Sequence, residues 1–127
     1  MDKNYYITTP IYYVNDKPHI GHAYTSIACD VLARFKRLDG YSVKFLTGTD
    51  EHGQKVEKAA KSQNKSPLEY ANFISKDFKS LTKTLNLSND DFIRTTEKRH
   101  ILAAQSLWRK LYENKHIYLD KYAGWYA

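Results

Sequence analysis

The sequence predicts an α/β fold with a parallel sheet, helix-rich and ordered strand first. Three observations carry that expectation. Two strand-like runs, Tyr5–Thr9 and Val43–Thr47, flank a long amphipathic stretch, which makes a right-handed βαβ unit over about 45 residues. Two further stretches after Gly53 have helical periodicity. A short apolar run at Phe92–Thr95 sits between them.

The elements follow in order. Tyr5-Tyr6-Ile7-Thr8-Thr9 is aromatic and β-branched, and Pro10 ends it as a strand. Residues 10–19 read as a loop between Pro10 and Pro18, with the turn-prone Asn15-Asp16 inside. Ile20, Ala23, Ile27, Val31, Phe35 and Leu38 recur at three- and four-residue steps, the mark of an amphipathic helix. Gly40 ends it, and Arg34, Lys36 and Arg37 suit the negative end of its dipole. Val43–Thr47 is the second strand. Residues 54–64 are polar and rich in Ala and Lys. Ser66 is an expected N-cap, with Pro67 at the first helical position and Glu69 completing a capping box. Tyr70, Ile74, Phe78, Leu81 and Leu85 give that helix its apolar stripe. A third long helix is expected from about Glu97 to Asn114, with Ile101, Ala104, Trp108 and Leu111 facing inward. Ile117–Tyr126 reads as two short strands turned at Ala123-Gly124, with no capping element after them.

Composition narrows the function classes. The chain has 127 residues, 42% hydrophobic and 27% charged, which excludes a disordered polar chain and fits one domain. No apolar run approaches a membrane span, and residues 1–15 lack the order of a signal peptide. The single cysteine, Cys29, excludes an internal disulfide or a Cys-pair zinc knuckle within the chain; a reducing, cytoplasmic setting is expected. The net charge is +6, and all of the excess lies beyond residue 52. Such a surface attracts nucleic acid or phosphates, or is simply a solvated lysine-rich helical face.

Two clusters can carry chemistry. His19-Ile20-Gly21-His22 stands where the first loop becomes a helix, so two histidines share a face at the positive end of the dipole. Gly21 removes a side chain between them and lets a flat group approach the backbone. Imidazole donors there suit nucleotidyl transfer, by stabilising charge on transferring phosphates. The alternatives are two surface histidines or a metal pair, which needs further ligands; His52 is the nearest candidate. The second cluster, Thr47-Gly48-Thr49-Asp50-Glu51-His52-Gly53, follows the second strand, at the edge where open α/β sheets collect ligands. Its carboxylates read equally as a site or as caps for the next helix. There is no G-x-G-x-x-G and no phosphate-loop lysine motif.

Taken together, Tyr5–Asn15, Pro18–Tyr24, Phe45–Gly53 and Asp90–Thr96 resemble the methionyl-tRNA synthetase family of class I aminoacyl-tRNA synthetases. The resemblance runs the length of the chain. The histidine tetrad marks the superfamily, and Thr49–Gly53 with Pro10–Asn15 marks the methionine enzymes. It implies a single, incomplete domain over residues 1–127: the N-terminal part of a Rossmann-type catalytic domain, with short C-terminal strands leading to a connective peptide. It also implies that His19 and His22 contact ATP phosphates as the catalytic pair, with Gly21 under the adenine side. The Ile11 backbone and Tyr13 would line a methionine pocket, and Asp50 would bind the substrate ammonium; Tyr12 is left open between pocket wall and packing. ATP, with Mg2+, enters as substrate, and methionine and tRNA(Met) are the implied partners. No zinc site is expected in the chain: Ala127 stands near where some members place a zinc-ligating cysteine.

The family's second signature, Lys-Met-Ser-Lys-Ser, is absent, since Met1 is the only methionine. Lys79-Ser80-Leu81-Thr82-Lys83 lies inside an expected helix and is no substitute. The chain alone is therefore expected to be inactive. A stand-alone nucleotidylyltransferase using the same tetrad on another acid substrate is the alternative, and a non-enzymatic RNA-binding module is the third reading.

Overall fold

The computed structural model describes residues 3–121, 123 and 124. It divides into two compact units, Met1–Glu97 and Lys98–Ala127.

The first unit holds strands β1 (Asn4–Thr8), β2 (Tyr12–Tyr13), β3 (Ser42–Asp50) and β4 (Asp91–Arg94), with helices α1 (Ile20–Leu38), α2 (Gln54–Ser62) and α3 (Pro67–Thr84). All strand pairs are parallel. Leu46 pairs with both Thr8 and Asp91, and Thr49 with both Tyr12 and Arg94, so β1 and β2 follow one edge of β3 while β4 takes the other. The two crossovers step across the sheet in the same direction. Right-handed connection then puts α1 and the α2–α3 pair on the same face. Tyr12 meets both, with its hydroxyl on Ser26 of α1 and its ring stacked on Phe78 of α3. This is the Rossmann-like α/β arrangement expected from the sequence.

The core lies under α2 and α3, where Tyr12, Val14, Val56, Ala60, Tyr70, Ala71, Ile74 and Phe78 are buried together. Local signals placed α3 well. Ser66 caps it, Glu69 reaches back to the Ser66 backbone, and Pro67 stands in the first turn. The hydrogen bonds from Ser66 hold the exposed Glu69 carboxyl below its usual range.

The apolar stripe of α1 points outward instead of into the sheet. Ile20 is 85% exposed, Leu38 90% and Val31 61%. The buried residues of α1 are Ser26, Asp30 and Ala33. The polar pair is buried because it is satisfied: Ser26 bonds Tyr12, and Asp30 accepts from the Ser88 backbone and hydroxyl and from Arg34. Burial works against the Asp30 anion, but the Ser88 and Arg34 bonds outweigh it and hold the carboxyl below its ordinary value.

Strand β3 runs three residues past its expected end, to Asp50. Its polar end is buried, with Thr47 bonded to Thr9 at 2.7 Å and Thr49 bonded to Glu51 at 2.7 Å. Gly48 is needed here. A Cβ built on it would stand 2.0 Å from the Ile93 carbonyl oxygen, inside the β3–β4 ladder. Gly48→Ala should therefore force β4 away and cost about 1–3 kcal/mol, as overpacking does. Chemical denaturation of the wild type and the variant measures this.

The second unit contains α4 (Lys98–Glu113), as expected from the periodicity. None of its residues is buried, and Trp108 is 62% exposed. Of the two strands expected over Ile117–Tyr126, residues 117–121 form none, and Tyr118 and Leu119 are exposed there; the second strand falls largely on residues outside those described. Tyr122, Trp125, Tyr126 and Ala127 lie outside the described residues.

Candidate active site

The site is built where α1 begins and β3 ends. His19 is the N-cap of α1. Its Nδ1 accepts the Gly21 backbone N–H at 3.1 Å, and the His22 Nδ1 accepts the His19 backbone N–H at 3.0 Å. The two histidines thus form a reciprocal capping box, a role more often filled by Ser and Glu. A ring nitrogen that accepts carries no proton. Each neutral ring therefore holds its proton on Nε2 and keeps that N–H as a donor. The rings lie 3.8 Å apart between centroids, tilted by 32°. Gly21 fits closely beneath them, since a Cβ there would press the His19 ring at 3.0–3.1 Å.

His22 also sits in an aromatic cradle. The Tyr12 ring is 4.8 Å away and the Phe78 ring 5.0 Å, both met edge-on. Burial, and then the neighbouring charge of His19, push the His22 imidazole below its ordinary pKa. The neutral form is the one the capping box requires. A base whose folded pKa is depressed contributes stability that is fully present above its unfolded pKa, near 6.5, and is lost as pH falls through the folded value. Thermal stability should therefore decline on acidification below about pH 6.5. His22→Gln keeps a capping-box acceptor that does not titrate, so melting of that variant should be flatter over the same range.

Asp50 is the last residue of β3, half-buried, and pairs in register with Tyr13. The Val14 backbone N–H donates to the Asp50 carbonyl at 3.4 Å. Among the described residues its carboxylate makes no hydrogen bond or ion pair. Ile11 and Tyr13 are 40% and 48% exposed, so both present their side chains at this edge. Tyr12 turns inward, its hydroxyl on Ser26 at 3.0 Å and on the His22 carbonyl at 3.4 Å. Tyr12 is thus packed among α1 and α3 residues. The two-residue strand β2 thus joins the clusters, Tyr13 beside Asp50 and Tyr12 beneath His22.

Neither carboxylate caps α2. Its N-cap is Gly53, at φ 108° and without a side-chain bond. Glu51 is buried and ion-paired to Arg94 at 2.7 Å, a partner the sequence reading missed. No local spacing links residues 43 positions apart; only the β3–β4 register brings them together. His52 is turned to the same end of β4, with its Nε2 3.4 Å from the Thr95 carbonyl oxygen. Among the described residues no group of three or more His, Cys, Asp or Glu could hold a metal ion, and no helix is long and apolar enough to cross a membrane.

Residues 5–127 match the family described as tRNA synthetases class I (M). The chain belongs to this family. Within the class I tRNA synthetases it is 61% identical over its whole length to the methionine–tRNA ligase of Rickettsia bellii, of which it covers 25%. It is 54% identical over 126 residues to that of Bacillus subtilis, covering 99% of this chain and 19% of the relative. The solved methionyl-tRNA synthetase of Mycobacterium tuberculosis in complex with methionyl-adenylate superimposes with a TM-score of 0.93 at 52% identity, over 98% of this chain and 24% of that one. A leucyl-tRNA synthetase complex from Agrobacterium radiobacter gives a TM-score of 0.77 at 27% identity, over 90% of this chain and 15% of that one. The chain spans about a quarter or less of these class I synthetases.

Proposed function

We propose that this chain is the N-terminal part of the Rossmann-type catalytic domain of a methionine–tRNA ligase. The complete enzyme joins methionine to ATP and then passes the methionyl group to tRNA(Met), in the cytoplasm. In the first step a methionine carboxylate oxygen attacks the α-phosphorus, the new P–O bond forms, and pyrophosphate leaves. In the second, a 3′-terminal hydroxyl of the tRNA attacks the adenylate carbonyl carbon and AMP leaves. No protein nucleophile is needed, so positioning and electrostatics supply the catalysis.

The observation that carries this reading is β2. Its register sets Tyr13 beside Asp50, while Tyr12 seats His22 at the start of α1. An amino-acid subsite and a phosphate subsite then adjoin at the C-terminal edge of a parallel sheet, where such folds bind ligands. Asp50 takes the methionine ammonium, with Ile11 and Tyr13 lining the pocket beside it. His19 and His22 donate from Nε2 to ATP phosphates, and Gly21 leaves room for the nucleotide. ATP arrives with its own Mg2+ as substrate. The high identity to methionine–tRNA ligases favours this over a stand-alone nucleotidylyltransferase.

Methionine-dependent ATP–pyrophosphate exchange tests the reading. The complete gene product should exchange with methionine. The isolated 127 residues should show nothing above background, because they hold no lysine loop to close over the triphosphate and leave the site wet. Exchange supported by another acid but not by methionine would favour the alternative.

A further inference from the structure

Glu51 is an acid with no solvent and no freedom. Its side chain is 0% exposed, and both carboxylate oxygens are filled. Oε1 accepts from Thr49 Oγ1 and from Arg94 Nε, each at 2.7 Å. Oε2 accepts from Arg94 Nη2 at 2.8 Å and from Thr96 Oγ1. The Glu51 backbone N–H donates to Thr95 Oγ1 at 2.9 Å. Arg94 Nη2 also reaches Asn72 Oδ1 of α3 at 2.6 Å. One buried carboxylate therefore clasps the end of β3 to the end of β4, and Arg94 extends the clasp to α3.

A buried ion pair is weak grounds for stability, because desolvation cancels much of the attraction. What this one fixes is geometry. Asp50 lies between two residues the clasp holds, Thr49 and Glu51. On its other edge the Asp50 carbonyl is held by Val14. Side chains alternate along a strand, so locking Thr49 on one face fixes the direction in which Asp50 leaves the other. A planar guanidinium gripping both oxygens resists rotation better than a point charge would.

We propose that Glu51 and Arg94 are positioning residues that aim the Asp50 carboxylate, and so set the affinity for the amino-acid substrate without touching it. The proposal rests on the reading of Asp50 as the ammonium site. Neither residue reacts, and no proton needs to move through them.

The test uses the complete gene product and two mild variants, because removing Glu51 outright would strand the Arg94 charge and endanger folding. Arg94→Lys keeps the charge and loses the fork. Thr96→Val removes one donor and leaves the pair intact. KM for methionine should rise about tenfold in the first and roughly threefold in the second, with KM for ATP within about twofold of wild type, since only one substrate's binding is loosened. Arg94→Lys added to Asp50→Asn should raise the methionine KM no further, because both act through one carboxylate. A methionine KM that stays at the wild-type value in both single variants, while melting temperature falls, would overturn the proposal and leave a structural clasp. Additive losses in the double variant would overturn it as well. Wild-type exchange that does not depend on methionine, by contrast, overturns the underlying ligase reading, and the aiming role with it; a methionine-dependent wild type whose methionine KM responds to Asp50→Asn but not to Arg94→Lys overturns the aiming role alone.

Discussion

Asp50→Ala should weaken methionine recognition by the complete gene product by about 2–5 kcal/mol, the usual loss when one partner of a desolvated charge pair is removed. Methionine binding and kcat/KM for methionine should both fall, and ATP binding should hold. The reason lies in the placement of the residue. Asp50 ends β3 between the sheet and the surface, in register with Tyr13, and its carboxylate is engaged by none of the described residues. An ammonium arriving there would find a half-buried carboxylate with no competing partner among the described residues. Were Asp50 a helix cap, the variant would lose about 1 kcal/mol of stability and keep normal kinetics. The structure gives that cap to Gly53, so melting should be nearly unchanged. Methionine titration and thermal melting of the same variant separate the outcomes, and a stability defect with intact methionine binding would remove Asp50 from the pocket.

How much of this was legible in the sequence depended on how local each signal was. The Ser66, Pro67 and Glu69 cap of α3 is written within four residues, and it formed as read. The histidine tetrad was placed correctly at a helix start for the same reason. Its inner mechanism was less visible: two histidines capping one another through Nδ1 is a hydrogen-bond pattern that spacing alone does not specify. Strand β2 was hidden because its two residues form a strand only by pairing with Thr49 and Asp50, some 37 positions away. The end of β3 was hidden because Gly48 and Thr49 look like a polar loop, yet they are buried between strands on both edges. Buried polar residues need partners: Thr47 finds Thr9 just beyond β1, and Thr49 finds Glu51, which is itself held by Arg94 of β4. The α1 stripe shows the opposite failure. Periodicity correctly identified a helix with an apolar side but not which side meets the sheet, because Ser26 and Asp30 were claimed by Tyr12 and Ser88. The carboxylates of Asp50 and Glu51, adjacent in sequence, were split by strand alternation into one that is open and one that is clasped.

His19→Ala in the complete gene product should slow methionyl-adenylate formation by roughly 10²–10³-fold, the typical loss for one preorganised donor aimed at charge in the transition state. His22→Ala should do the same. The capping box explains why neutral histidines can serve. Each Nδ1 is spent on a backbone N–H, so each Nε2–H is left as a donor whose ring is already oriented, with no reorganisation needed when the phosphate charge shifts. The donors also stand at a helix N-terminus, whose partial positive charge adds to theirs. Methionine affinity should change little, because Asp50 and Tyr13 belong to β3 and β2 rather than to α1. The substitution also removes a cap, so stability should fall by about 1 kcal/mol. That loss is too small to account for the kinetic one. His19→Asn divides the two effects: asparagine caps helices well but does not place an imidazole N–H outward. It should restore the melting temperature and leave adenylate formation slow. If His19→Asn recovers both, the histidine serves the helix alone, and the phosphate role is lost. If His19→Ala leaves the ATP–pyrophosphate exchange rate near wild type, the phosphate site lies elsewhere in the protein.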